Sequence, residues 1–243
     1  MRTHEPVVGP KVNDSPPRLA ADVLEAFRRA YLCSVADAVG PFYSMDQGIR
    51  PLYEPESVMV GQALTVKAVP GDNLAVHGAL TMVQPGDVLV IDWRGFAGAG
   101  ACGAGSVVMP KRRGLAGIVV DGAYRDVDEM RTIGVPLYAR GVNPASPAKS
   151  RVGEINVPVS CGGVVVQPGD LVMGTAEGVV VVPADEIPQI LETLEEYERP
   201  TGLDYWDRGE REARYELRGQ QYRLMLDNQL ECTRRRAVGI DRH

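Results

Sequence analysis

Residues 114–129 read GLAGIVVDGAYRDVDE, and the fold turns on how this stretch is read. An apolar run from Ile118 to Val120 leads to Asp121-Gly122 and then to Arg125 and Asp126 side by side, with Asp128 and Glu129 just beyond. A short aliphatic run of this kind predicts a strand buried on both faces, here Ala116 to Asp121, that ends in a charged turn. Arg carries a planar fork of donors suited to a carboxylate or a developing enolate oxygen, and Asp carries hard oxygens suited to a divalent cation. The pair reads as a small site for an anion and a metal. The alternative reading is a surface turn whose Arg and acids pair with neighbours, since such ion pairs are common and contribute little.

The surrounding chain gives this strand its partners. Val88 to Ile91 is a second continuous apolar run, entered through Pro85-Gly86-Asp87. A second Pro-Gly-Asp, at 168–170, also introduces a strand, and the two read as convergent turn chemistry rather than duplication. Further strands are expected over Val58–Gly61, Ala63–Val69, Val135–Ala139, Ile155–Val159, Val164–Val166, Asp170–Met173 and Gly178–Val182. Helical spacing appears over Leu19–Tyr31, Leu74–Met82 and Ala184–Tyr197, and Ser34 is positioned to cap a short helix that Gly40-Pro41 ends. A short helix is also expected over Ser106–Arg113, limited by Pro110.

Composition bounds the classes of function. The chain has 243 residues, 44% hydrophobic and 24% charged, enough for a substantial core. Its 32 acids against 26 bases give a net charge of −6, which argues against a general nucleic-acid-binding surface. The cysteines at 33, 102, 161 and 232 form no CxxC pair, so neither a disulfide framework nor a zinc knuckle is indicated, and a reducing cytoplasm is expected. No run approaches the roughly 20 apolar residues of a membrane span. Residues 1–17, rich in Pro and Gly, read as a flexible N-terminal arm, 18–197 as one domain, and 198–243 as a charged extension. That extension carries ten bases and nine acids, so it is expected to lie as helix on the domain or on a neighbouring subunit.

Between the two apolar strands lies a Gly/Ala-rich loop, Gly95–Gly105. Gly98-Ala-Gly100-Ala-Cys-Gly103 is a literal GxGxxG, with Asp121 about where a ribose-binding acid falls in dinucleotide-binding folds. The first Gly, however, comes six residues after Asp92 rather than in a tight turn. The other use of the loop is as an anion seat, with free backbone N–H groups over Gly103–Ser106 at a helix start. His77 is the only histidine away from the termini, and a helical His is more often packed than catalytic. Cys102 is the one thiol to test for reactivity.

Taken in order, these residues resemble the RraA-like family. The resemblance covers about residues 20–197 and rests on Asp72-Asn73 before the His77 helix, PGDVLVID at 85–92, the glycine loop, GLAGIVVDGAYRD at 114–126, INVPVS at 155–160 and PGDLVMGTAEGVVVVP at 168–183. The family holds class II pyruvate aldolases acting on 4-hydroxy-4-methyl-2-oxoglutarate and 4-carboxy-4-hydroxy-2-oxoadipate, which also decarboxylate oxaloacetate, and the regulator of ribonuclease E activity. The resemblance implies an α/β protein, an αββα sandwich with a swivelling β/β/α core, assembled as a trimer or a dimer of trimers with sites between subunits. It further implies that Arg125 stabilises an enolate derived from a small 2-keto acid and that Asp126 holds Mg²⁺, Mn²⁺ or another divalent cation largely through water. The backbone of Gly103, Ala104, Gly105 and Ser106 would seat the substrate. One departure stands out: aldolases of the family follow the glycine at 103 with an acid, where this chain has Ala104. The implied alternative is a regulatory protein of the same fold without chemistry.

Overall fold

The computed structural model describes residues 9–196, 216 and 219–228. The elements, in chain order, are α1 (Ala21–Arg29), α2 (Leu32–Val39), β1 (Arg50–Pro51), β2 (Met59–Lys67), α3 (Leu74–Met82), β3 (Asp87–Phe96), α4 (Val108–Arg112) and β4 (Gly117–Tyr124). They continue with α5 (Val127–Ile133), β5 (Leu137–Val142), β6 (Glu154–Ile155), β7 (Val159–Cys161), β8 (Val164–Val166), β9 (Leu171–Thr175), β10 (Gly178–Val182) and α6 (Ile187–Glu196). The main sheet runs β1-β5-β4-β3-β2-β9-β10, with β6 also paired to β2, while β7 and β8 form a separate hairpin. Strands β2 to β5 are parallel because a helix crosses back between each successive pair, and the other strands join antiparallel. Strand β1 comes alongside β10, so the sheet curls until it is nearly closed.

Period-two alternation sorts the strand side chains into two apolar faces. Val88, Val90, Val119, Val179 and Val181 point inward, where the β7–β8 hairpin adds Val159, Cys161, Val164 and Val166. Leu89, Ile91, Ile118 and Val120 point outward against α3 and α5. Leu171, Met173, Val180 and Val182 point outward against α1, α2 and α6. The two halves of the curled sheet therefore face each other between two helical layers, the αββα architecture that the family resemblance implies. Both faces of β3 and β4 are covered, which is why their sequences are continuous apolar runs rather than alternating ones.

The two Pro-Gly-Asp triplets make the same turn. Asp87 Oδ2 accepts from the Gln84 amide and Asp170 Oδ2 from the Gln167 amide, both at 2.8 Å, with Gly86 and Gly169 at φ 85° and 96°. A side chain accepting from the residue three places back closes the turn, and only glycine adopts that φ without strain.

Several boundaries differ from expectation for identifiable reasons. Residues 59–67 are one strand, because Gly61 and Gln62 stay in register with β9 through the point expected to break it. Ser34 lies inside α2, whose N-cap position is Tyr31, so it caps nothing. Strand β4 runs on to Tyr124, three residues past Asp121, because Asp121 is a paired strand residue rather than a turn former. Its carboxylate accepts from Arg140 Nε and, at 3.0 Å, from the Gly162 amide in the β7–β8 turn.

The arm expected to be flexible over 1–17 is described from residue 9, and there it lies on its own chain. Val12 bridges to Ile155, Ile155 N donates to Lys11 O at 2.9 Å, and Asn13 and Asn156 exchange side-chain bonds to each other's carbonyls. The chain divides into two units after Tyr197. In the second unit residues 216 and 219–228 are helical, and the rest of the expected extension lies outside the described residues. No helix among the described residues is long and apolar enough to cross a membrane.

Leu89, fully buried between β2 and β4, tests the outer layer. Leu89→Ala should lower unfolding free energy by about 2–5 kcal/mol through lost contacts and a cavity. Urea denaturation reads this as a lower midpoint with an unchanged slope; a loss under about 1 kcal/mol would mean that the layer repacks freely.

Candidate active site

Strand β4 delivers the two central residues. All eight of its residues are buried, and Arg125 and Asp126 are the first after it to reach the surface, their side chains 29% and 33% exposed. Asp126 adopts the left-handed conformation, φ 57° and ψ 42°, which turns the chain sharply from strand into α5. Asp tolerates this region better than most residues. Although it stands at the N-cap position of α5, its side chain makes no capping bond. Instead Oδ2 accepts from the Ala104 amide at 3.1 Å and Oδ1 from Arg125 Nε at 3.2 Å, so the carboxylate is aimed across at the glycine loop. Arg125 Nη1 donates to Ser146 Oγ, and Nη2 has no partner among the described residues.

The loop glycines are there for close approach. A Cβ on Gly103 would lie 2.4 Å from Asp126 Oδ2, and one on Gly100 would lie 2.6 Å from Arg125 Cβ. The Ala101 amide donates to Ala123 O at 2.9 Å, laying the loop backbone directly on the end of β4. A Cβ on Gly98 would strike Phe96, whose ring stacks edge-on with Trp93. The GxGxxG spacing is thus accounted for by packing on Phe96, Arg125 and Asp126. Asp121, the acid that a dinucleotide site would use on a ribose, is engaged with Arg140.

Fewer backbone donors are free than the sequence suggests. The loop ends in a 3₁₀ turn, Ala104–Ser106, in which Ser106 N bonds to Gly103 O and Ala104 N is taken by Asp126. The amides of Gly103 and Gly105 remain without partners among the described residues. Cys102 is buried, and burial pushes its thiol above the ordinary value, so it is a poor nucleophile. Asp128 turns to Arg131 and is almost fully exposed, and no group of three acidic, His or Cys side chains among the described residues is arranged to hold a metal. Asp126 is the carboxylate that accepts a bond from the loop backbone.

The segment 143–151 closes the other side of the site. Asn143 Nδ2 donates to Ala97 O, Ser146 holds Arg125, and Ala148 pairs with Asp72. Asp72 accepts from the amides of Leu74, Ser150 and Arg151 and from Ser150 Oγ, which ties the segment to the start of α3. Asn73 Nδ2 then donates to Ala101 O at 2.9 Å, joining α3 to the glycine loop. The sequence signal was the Asp72-Asn73 pair itself; its long-range partners have no local signature. A cavity of about 380 Å³ beside Lys67, Arg94 and Gly153 does not include Arg125 or Asp126.

The comparisons with known proteins bear on this arrangement. The family model described as RraA-like, Aldolase/RraA, matches residues 32–181. This chain belongs to the RraA-like family. A protein of Halalkalibacterium halodurans named "Putative 4-hydroxy-4-methyl-2-oxoglutarate aldolase" is 40% identical over 171 residues, which span 70% of this chain and 81% of that one. Among solved structures, Streptomyces coelicolor RraAS2, titled an unusual member of the RNase ES inhibitor RraA family, superposes with a TM-score of 0.67 at 33% identity, covering 75% of this chain and 94% of that one. The RNA-processing inhibitor RraA from Thermus thermophilis gives 0.59 at 26% identity, covering 72% and 97%. RraA-like relatives are thus named both as aldolases and as inhibitors.

The Asp72 clasp predicts a pH dependence. Burial raises its pKa, but the bonds from Leu74, Ser150 and Arg151 outweigh that and leave it below the usual value. A folded-state pKa below the unfolded value stabilises the protein above the unfolded pKa of about 3.9, and the contribution is lost as pH falls through the folded value. Asp72→Asn should therefore melt below wild type at pH 7, with the two melting temperatures converging below about pH 4. A gap that persists unchanged in acid would remove the charge from this account.

Proposed function

We propose that this protein is a divalent-metal-dependent lyase that cleaves a 2-keto acid to pyruvate, by retro-aldol cleavage of a 4-hydroxy-2-oxo diacid, by decarboxylation of oxaloacetate, or by both. The observation that carries this is the Arg125–Asp126 pair against the glycine loop, with Arg125 Nη2 and the amides of Gly103 and Gly105 left to donate. Arg125 is held at Nε and Nη1, so its remaining donors present a preformed fork to the carboxylate or keto oxygen of the substrate, without further ordering of the side chain. The same charge stabilises the oxygen that becomes negative when the C–C bond breaks.

The residues fit a magnesium ion that keeps most of its water. Each Asp126 oxygen accepts one bond and has capacity left, and Mg²⁺ is commonly held by one or two carboxylates with water and substrate oxygens completing the shell. When bound, the metal supplies Lewis-acid polarisation of the 2-keto group. Gly103 lets the loop approach Asp126, and the Ala104 amide fixes the direction of the carboxylate. We take the assembly to be a trimer or a dimer of trimers with the site shared between subunits, acting in the cytoplasm. The aldolase name of the Halalkalibacterium relative supports the lyase reading.

A second reading, a regulatory protein of the RNase-inhibitor type, is favoured by Ala104 and by the names of the Streptomyces and Thermus structures. One assay separates the two. Purified protein with Mg²⁺ should release pyruvate from oxaloacetate or 4-hydroxy-4-methyl-2-oxoglutarate, EDTA should abolish release, and Arg125→Ala should lower kcat/KM by about 10²–10³. No pyruvate from either substrate, with Mg²⁺ or Mn²⁺ present, would leave the regulatory reading.

A further inference from the structure

Strand β3 carries a feature that the Arg125–Asp126 site does not use. Among the described residues three other than glycine have positive φ: Arg94 at 54°, Asp126 at 57° and Asn156 at 52°. Asp and Asn tolerate this conformation through their short side chains, whereas a long side chain such as Arg is strained in it. An irregularity in the sheet imposes the strain. Strands β3 and β4 pair through Asp92 and Asp121, the register shifts, and pairing resumes at Phe96 and Gly122. Between those points Arg94 and Gly95 are both left-handed, and Asp92 Oδ1 accepts from the Arg94 amide at 3.1 Å, which fixes the kink. Irregularities of this kind re-aim a side chain.

Arg94 lines the cavity of about 380 Å³, beside the carboxyl ends of β2 and β3. Ligands of parallel sheets bind outside the carboxyl ends of the strands, in cavities of about 300–1,000 Å³. Trp93 Nε1 donates to Val69 O at 2.8 Å and the Ala68 amide to Asp92 O at 3.0 Å, so β3 and the segment leaving β2 form one fixed wall. The N-terminal arm forms another, through Gly9 and Pro10, and is tied down where the Ile155 amide donates to Lys11 O.

The lining sets the chemistry of the ligand. Two cations, Lys67 and Arg94, share the cavity with one anion, Glu154, which pairs with Lys67 at 3.2 Å. Among the described residues the amide is the one Arg94 donor that is bonded, so its exposed guanidinium is open to a ligand. One positive charge is left over, and a planar guanidinium matches a carboxylate. Pro10, Val69, Pro70 and Val152 supply apolar surface around it.

We propose that this cavity binds a small organic monocarboxylate with an apolar body, its carboxylate on Arg94 and its body against Pro10, Val69, Pro70 and Val152. The site is separate from Arg125 and Asp126 and does not depend on the lyase reading.

Benzoate serves as the probe, titrated calorimetrically into the full chain, beside benzamide, which keeps the shape without the charge, and acetate, which keeps the charge without the body. Benzoate should bind at least about tenfold more tightly than either. Arg94→Gly removes the guanidinium and suits the left-handed backbone, so it should weaken benzoate at least about tenfold while melting at or above wild type. Arg94→Asn, which also tolerates this backbone, is measured alongside and should behave alike. Arg125→Ala should bind benzoate as wild type does. Absence of benzoate binding, equal binding of benzamide or acetate, retention of benzoate by both Arg94 variants, or its loss in Arg125→Ala each overturns the proposal. Melting of both Arg94 variants below wild type would assign the side chain to the fold and overturn it as well.

Discussion

The contact between the backbone of the glycine loop and the end of β4 governs this site. Ala101 N donates to Ala123 O, and the loop then runs so close to Arg125 and Asp126 that Gly100 and Gly103 have no room for a methyl group. Because β4 is buried on both faces, its charges appear at the surface only where the strand leaves the sheet, and the loop meets them there. The Ala104 amide orients Asp126, Asp126 orients Arg125, and Ser146 fixes the far end of the guanidinium. Each of these bonds assumes the one before it. A side chain at Gly103 would undo the series at its first step.

A second polar cluster does a different job at the same end of the sheet. Asp92 and Asp121 are register partners on β3 and β4. Asp121 and Asp46 share Arg140, while the Gly162 and Ser160 amides of the β7–β8 hairpin donate to Asp121 and Asp92. The bonds from Asp46 and Asp121 hold the Arg140 guanidinium well above its ordinary pKa, so the guanidinium keeps its proton. It fastens the hairpin that fills the inner face of the curled sheet. The sheet end thus carries one set of acids engaged by Arg140 and by backbone amides, and another group, at Arg125 and Asp126, that keeps capacity for a ligand.

The strands were legible because they are short apolar runs bounded by Gly and Pro, as VLVI and GIVV are, while their arrangement into layers came from the family resemblance. What sequence obscured were partners far along the chain. Asp121 looks like a turn former until Arg140 and Gly162 are placed beside it, so the sequence alone ends β4 three residues short. The amides of 103–106 look free until Asp126 claims one and the 3₁₀ turn another. Arg125 and Asp126 were readable as a pair from adjacency alone. Ser146, Asn143 and the Asp72 clasp were not, since each acts across tens of residues.

The left-handed backbone at Asp126 has a consequence for how such a chain drifts over time. That conformation suits Asn and Gly about as well as Asp, so the carboxylate can be exchanged without disturbing the turn into α5. The position that would anchor a metal is also one at which the turn itself does not require the carboxylate. A lineage built on this turn can abandon chemistry in a single substitution and keep an intact surface for other uses, which makes a family that mixes enzymes and inhibitors a physically inexpensive outcome.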